Sequence, residues 1–189
     1  MTGIHLSRLR EADRPAYEAL YESSFPPSER KTLDYMLTGE RSSAYEVLVI
    51  STPDCPVAGM VITVTHGDLT MLDYFAVSPE LRGQGLGHAV LPLIRDHVRG
   101  SGGGHFFLEI ETPPPLCIPR DPCPNAEQRV RRKAFYLSAG MAETGVRAFI
   151  YGNDMELLAF PEDTGCVTFE GYDALLKATF PKGMEAERI

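Results

Sequence analysis

The chain is short of cysteine, of basic charge and of long apolar runs, and each shortage closes off a class of protein. Four cysteines in 189 residues, Cys55, Cys117, Cys123 and Cys166, are too few and too scattered for a disulfide framework, and none stands in a Cys-x-x-Cys metal pair. Free thiols and no metal site are expected. Lysine and arginine number 18 against 26 aspartates and glutamates, a net charge of -8 that repels a phosphate backbone and favours cationic or neutral partners. No nucleic-acid partner is expected. No stretch approaches the ~20 apolar residues that span a bilayer, and the N-terminus lacks the continuous apolar core of a signal peptide. The expectation is a cytoplasmic protein with no membrane partner and no internal repeat. Its length and 43% hydrophobic content suit one domain over residues 1–189.

What the chain does have is a glycine-spaced loop joining an apolar strand to a helix, Val77-Ser-Pro-Glu-Leu-Arg-Gly-Gln-Gly-Leu-Gly-His-Ala-Val90. Gly83, Gly85 and Gly87 permit positive φ angles and close approach, so backbone N–H groups of residues 82–87 can converge on one point. A helix N-terminus adds partial positive charge and Arg82 a full one, making phosphate or pyrophosphate the natural guest. Three glycines alone suit an ordinary strand-to-helix turn equally well. No Gly-Lys-Ser/Thr follows, which argues against a P-loop, and the run misses the Gly-x-Gly-x-x-Gly dinucleotide spacing.

The pattern Arg82-x-x-Gly85-x-Gly87, preceded by a strand ending Phe75-Ala76-Val77-Ser78-Pro79, resembles the acyl-CoA signature of the GNAT superfamily of N-acetyltransferases. Downstream, Ala134-Phe-Tyr-Leu-Ser-Ala-Gly-Met141 is similar to that family's helix bearing a Tyr followed by Gly and an apolar residue. The resemblance covers residues 4–160 as an order of elements, leaving 161–189 as a C-terminal extension. It implies an α/β (α+β) fold, a central mixed, mostly antiparallel twisted sheet flanked by helices, with an additional C-terminal helix. It also implies acetyl-CoA as cofactor and transfer of its acetyl group to a primary amine of a small molecule or protein, by direct attack in a ternary complex. A non-catalytic acyl-CoA sensor and a plain phosphate-binding domain are the competing readings, and Tyr136 with Glu109 favours the enzyme. The charge leaves room for a cationic acceptor, and the chain for a monomer or homodimer.

Periodicity fills in the elements. A short strand at Ile4 and Leu6 precedes a helix presenting Ala16, Tyr17, Leu20 and Tyr21 on one face, and Ser28 is positioned to cap a second helix carrying Leu33, Met36 and Leu37. Residues 45–50, 57–64 and 69–77 read as an antiparallel meander. In the helix after the cradle Pro92 predicts a kink or a late start. Residues 105–111 form the next strand, and the prolines of 112–124 make a stiff loop, either a wall of the acceptor pocket or an inert excursion. Asn125 with Gln128 suggests a capped helix burying Val130, Ala134 and Leu137. Two strands over 146–160 and a helix over 170–180 complete the pattern.

The resemblance assigns chemistry residue by residue. It implies that pantetheine pairs with the backbone of Phe75, Ala76 and Val77, where an N–H also receives the developing oxyanion, and that Arg82, Gly83, Gln84, Gly85, Leu86 and Gly87 hold pyrophosphate. Tyr136 stands where the family places a phenol near the cofactor sulfur. Arg129, Arg132 and Lys133 share its helical face, Arg132 being the candidate for the 3′-phosphate, although many members carry Asn and Ala where this chain has Arg129 and Arg132. Glu109 is the first candidate base, acting through water, and Asp73 the second. Phe25, Glu29 and Glu111 are candidates for the acceptor; a packed Phe beside a solvated helix start and solvated acids at strand ends are the commoner explanation of such residues.

Overall fold

The computed structural model describes residues 3–150, 152–180 and 186–189. Its contacts divide the chain into two units, residues 1–64 with 72–100 and residues 65–71 with 101–189.

The first unit holds strands β1 (His5–Arg8), β2 (Tyr45–Thr52), β3 (Cys55–His66) and most of β4 (Leu69–Val77), with helices α1 (Arg14–Ser24), α2 (Leu33–Leu37) and α3 (Leu86–Gly100). β1 pairs antiparallel with β2 and β2 with β3, setting Leu6 opposite Ile50 and Val49 opposite Met60. Both central strands are buried over most of their length, as runs of β-branched residues require. α1 buries Tyr17, Leu20 and Tyr21 at helical spacing, and the Tyr17 hydroxyl donates to the Val61 carbonyl of β3. α2 is capped by Thr32, whose hydroxyl accepts the Tyr35 N–H at 3.2 Å, and not by Ser28. Of the two expectations for α3, the late start is absent. The helix runs from Leu86 through Pro92 to Gly100, with Val90, Leu91, Ile94 and Val98 buried on one face, and that packing outweighs the donor lost at the proline.

The second unit holds the start of β4, then β5 (His105–Glu111), α4 (Ala126–Ser138), β6 (Ala142–Ile150), β7 (Asn153–Ala159), α5 (Phe169–Thr179) and β8 (Glu187–Arg188). The strand order is β1-β2-β3-β4 in the first unit and β4-β5-β7-β6-β8 in the second. This is the mixed, mostly antiparallel α/β (α+β) arrangement flanked by helices that the sequence implies, with α5 as the additional C-terminal helix. β5 begins where the His105 N–H meets the Asp68 carbonyl at 2.7 Å, an approach so close that a Cβ on Gly104 would lie 1.8 Å from that oxygen. β6 starts earlier than its apolar pattern suggests, because its register shifts between Glu143 and Arg147, where Gly145 takes φ +79.

α4 reverses the expected burial. Val130 and Leu137 are 48% and 40% exposed and Ala134 is exposed, whereas Arg129 is fully buried and Lys133 nearly so. The reason is electrostatic. Arg129 donates to Asp121 at 2.5 and 3.2 Å, to Asn125, to Asn153 and to the Thr112 carbonyl, and Lys133 reaches Glu156 at 2.7 Å and Glu143 at 2.6 Å. Buried charges demand such partners, and here four carboxylates supply them, Glu111 joining Asp121 at Arg129. Asn125 is consumed by the same network, bonding Arg129 and Glu111, so it makes no side-chain cap.

Candidate active site

The loop after β4 has the conformation an anion cradle needs. Gly83 and Gly85 take φ +73 and +81, left-handed values that glycine adopts without strain, and a Cβ on either would meet nothing within 4 Å. Both Cα faces therefore look onto open space. Gly87 contributes differently from the expectation, since it lies inside α3 and has no positive φ; two glycines turn the loop and the third belongs to the helix. The first amides of α3 have no carbonyl one turn back to satisfy them, and Leu86 is buried beneath. Arg82 is exposed and braced, its Nε donating to the Val77 carbonyl at 3.0 Å, while the Gln84 amide donates to the Glu80 carbonyl at 2.9 Å. An open nest, a helix N-terminus and a guanidinium together fit a pyrophosphate.

Upstream of the cradle, the Ser78 N–H donates to the Ala58 carbonyl of β3 at 2.9 Å. Strand alternation then directs the amides of Phe75 and Val77 to the opposite edge of β4.

The candidate acceptor segment, residues 25–31, is held in the same unit. Phe25 is half-buried, its ring 5.0 Å from Tyr74 and 5.6 Å from Tyr21, so it is part of an aromatic cluster. The Glu29 side chain is exposed, and its carbonyl accepts the Tyr74 hydroxyl at 2.7 Å. Asp73 is engaged by Lys31, whose Nζ donates to its two oxygens at 2.9 and 2.6 Å, both side chains being under 10% exposed. Burial pushes the Asp73 carboxyl up, and Lys31 pulls it back.

In the second unit, Tyr136 is half-buried on α4 with its ring against Phe135. Burial pushes its phenol up to about 12, against a small opposing pull from Arg132. The group is therefore protonated throughout the neutral range, a state suited to donating a proton and not to taking one. Glu109 on β5 accepts the hydroxyl of Tyr172, a fully buried residue of α5. Glu111 is bound by Arg132 at 2.7 Å, Arg129 at 3.1 Å and the Asn125 amide. Thus Arg132 and Glu111, read separately as a phosphate ligand and an acceptor ligand, form one ion pair. Asp121 is held below the usual carboxylate range: burial raises it, but Arg129 and the N–H groups of Asp154 and Cys123 outweigh that. This network pins the proline-rich loop at Asp121.

Sequence reasoning missed four of these residues. Lys31 and Tyr172 carried no motif, and Tyr74 read simply as one apolar position in a strand. Arg129 read only as a cation on the helical face of Tyr136, and the signal of its burial was the excess of acids at 111, 121 and 156, which only the fold brings together.

Among the described residues no helix is long and apolar enough to cross a membrane. The sequence profile of the acetyltransferase (GNAT) family matches residues 6–114, more than half of the chain. No curated protein matches. Among solved structures, one from Bacteroides thetaiotaomicron assigned to the GNAT acetyltransferases superposes with a TM-score of 0.69 at 20% identity, covering 96% of this chain and 99% of that one. The ribosomal-protein-S18-alanine N-acetyltransferase of Escherichia coli gives 0.53 at 24% identity over 84% and 93%. A spermidine N-acetyltransferase chimera built on the Vibrio cholerae protein gives 0.62 at 14% identity over 84% and 95%. The family match thus defines an acyltransferase that uses acetyl-CoA. The chain belongs to the acetyltransferase (GNAT) family.

Proposed function

We propose that the chain transfers an acetyl group from acetyl-CoA to a primary amine by direct attack in a ternary complex. The observation that carries this reading is the open cradle at Gly83 and Gly85 on the N-terminus of α3, in a chain of this family. Acetyl-CoA supplies the activated thioester. Residues 82–87 hold its pyrophosphate, and the outward amides of Phe75 and Val77, on either side of Ala76, align the arm and donate an N–H to negative charge developing on the acyl oxygen. Tyr136 delivers a proton to the departing thiolate and regains one from the adduct's nitrogen as it becomes the amide. Glu109, oriented by Tyr172, draws the proton from the incoming ammonium through water, and Phe25 and Glu29 border the acceptor. Arg132 binds Glu111 in the free protein, so any contact with the 3′-phosphate is made at the expense of that pair or beside it.

The related structures are named for different amines: spermidine, the alanine of ribosomal protein S18 and nourseothricin. The acceptor here is therefore sought across those classes. Purified protein is incubated with acetyl-CoA and polyamines, aminoglycosides, amino acids or alanine-led and lysine-bearing peptides, and free thiol is followed. Amine-dependent release that is lost in Tyr136→Phe supports the reading. Tight acetyl-CoA binding with no release on any amine favours the sensor instead. The reading expects a cytoplasmic enzyme, monomeric or homodimeric, with no nucleic-acid or membrane partner, in keeping with its net charge of -8.

A further inference from the structure

The segment between α1 and α2 is fastened to β4 by more than a connecting loop needs. The Tyr74 hydroxyl donates to the Glu29 carbonyl at 2.7 Å and accepts the Lys31 N–H at 3.2 Å. The Tyr21 hydroxyl donates to the Lys31 carbonyl at 3.1 Å. Lys31 Nζ is bidentate to Asp73 and lies 5.0 Å from the Tyr74 ring centre and 5.8 Å from that of Tyr45. Phe25 and Tyr21 each meet the Tyr74 ring edge-on, and Tyr21 lies tilted against Phe25.

We propose that Lys31, Asp73 and Tyr74 form a clasp that positions residues 25–31 against β4, making them positioning residues for the acceptor amine; this rests on the acetyl-transfer reading above. The choice of groups is the first reason. A buried ion pair adds little net stability over apolar side chains of the same volume, because desolvation consumes most of its attraction, whereas its direction is exacting. The second reason is topological. One hydroxyl bonds backbone groups two residues apart, which fixes the path of the chain at Glu29 to Lys31 and leaves it no room to slide. The third is adjacency in sequence. Asp73 and Tyr74 immediately precede Phe75, Ala76 and Val77, so the acceptor segment is indexed on the strand assigned to the acyl donor. An error of about 1 Å between reacting groups costs up to ~100-fold in rate, so such indexing has a kinetic consequence.

Two variants test this. Lys31→Met combined with Asp73→Leu removes the pair without leaving a lone buried charge, and Tyr74→Phe removes the hydroxyl while keeping the ring. Both are expected to keep the wild-type Kd for acetyl-CoA, to raise the KM for the amine about tenfold or more, and to speed hydrogen exchange in peptides covering residues 25–32. Should the double variant fail to fold, Tyr74→Phe alone decides. An unchanged amine KM overturns the positioning role, and unchanged exchange overturns the clasp itself. Exchange needs no turnover. If the wild-type protein acetylates no amine, the acetyl-transfer reading fails and the positioning role falls with it, while exchange still reports whether the clasp holds.

Discussion

Tyr136 and Gly85 are the residues on which the chemistry is most exposed to test. Tyr136→Phe keeps the ring that packs on Phe135 and deletes the proton, so kcat should fall ~100-fold or more with acetyl-CoA binding unchanged. An undiminished kcat removes Tyr136 from its role. Gly85→Ala places a methyl on the open side of the cradle at φ +81, where backbone strain costs ~1–2 kcal/mol. The account expects a higher KM for acetyl-CoA and an unaltered KM for the amine. Burial of the tyrosines also sets an alkaline limit. Unfolded tyrosines ionise near pH ~10, whereas Tyr21 and Tyr136 are pushed up to about 12, mainly by burial. Between those pH values the unfolded chain has released protons that the folded one retains. Stability is therefore intact below pH ~10 and declines as pH rises through that window, which tyrosinate absorbance and circular dichroism recorded together will show.

α4 shows where a sequence stops being legible. The glycine cradle, the meander of β2 to β4, and Tyr136 followed by Gly140 were all readable, because each depends on local backbone chemistry or on a period within one element. The burial of α4 was not. Its apolar residues at 130, 134 and 137 have helical spacing, yet the face turned inward carries Arg129 and Lys133, and their partners Asp121, Glu143 and Glu156 come from a loop and two strands. Charge pairing across elements leaves no periodic trace. The same holds for Thr32 in place of Ser28 as the cap of α2, since residues 25–31 are bound to β4 and helix geometry begins only beyond them. At this scale Arg129→Met should destabilise the fold by ~3–5 kcal/mol in urea unfolding, because Asp121 is left charged and buried. A loss below ~1 kcal/mol would mean that water or relaxation replaces the guanidinium.

At the scale of the whole molecule, the parts of the proposed site are spread along the sequence. The family profile ends at residue 114, inside the proline-rich loop that Asp121 and Arg129 pin, and α5 beyond it supplies Tyr172 to Glu109. The glycine loop of residues 82–87 thus lies within the profile, whereas Tyr136 and part of the setting of the candidate base come from beyond it. The central claim is that an amine attacks the thioester directly, with no acyl group parked on the protein. Once the panel identifies an amine, initial rates measured over a grid of acetyl-CoA and amine concentrations test it most directly. The account predicts double-reciprocal lines that intersect, as a ternary complex requires. Parallel lines, the mark of a covalent acyl-enzyme, would contradict it.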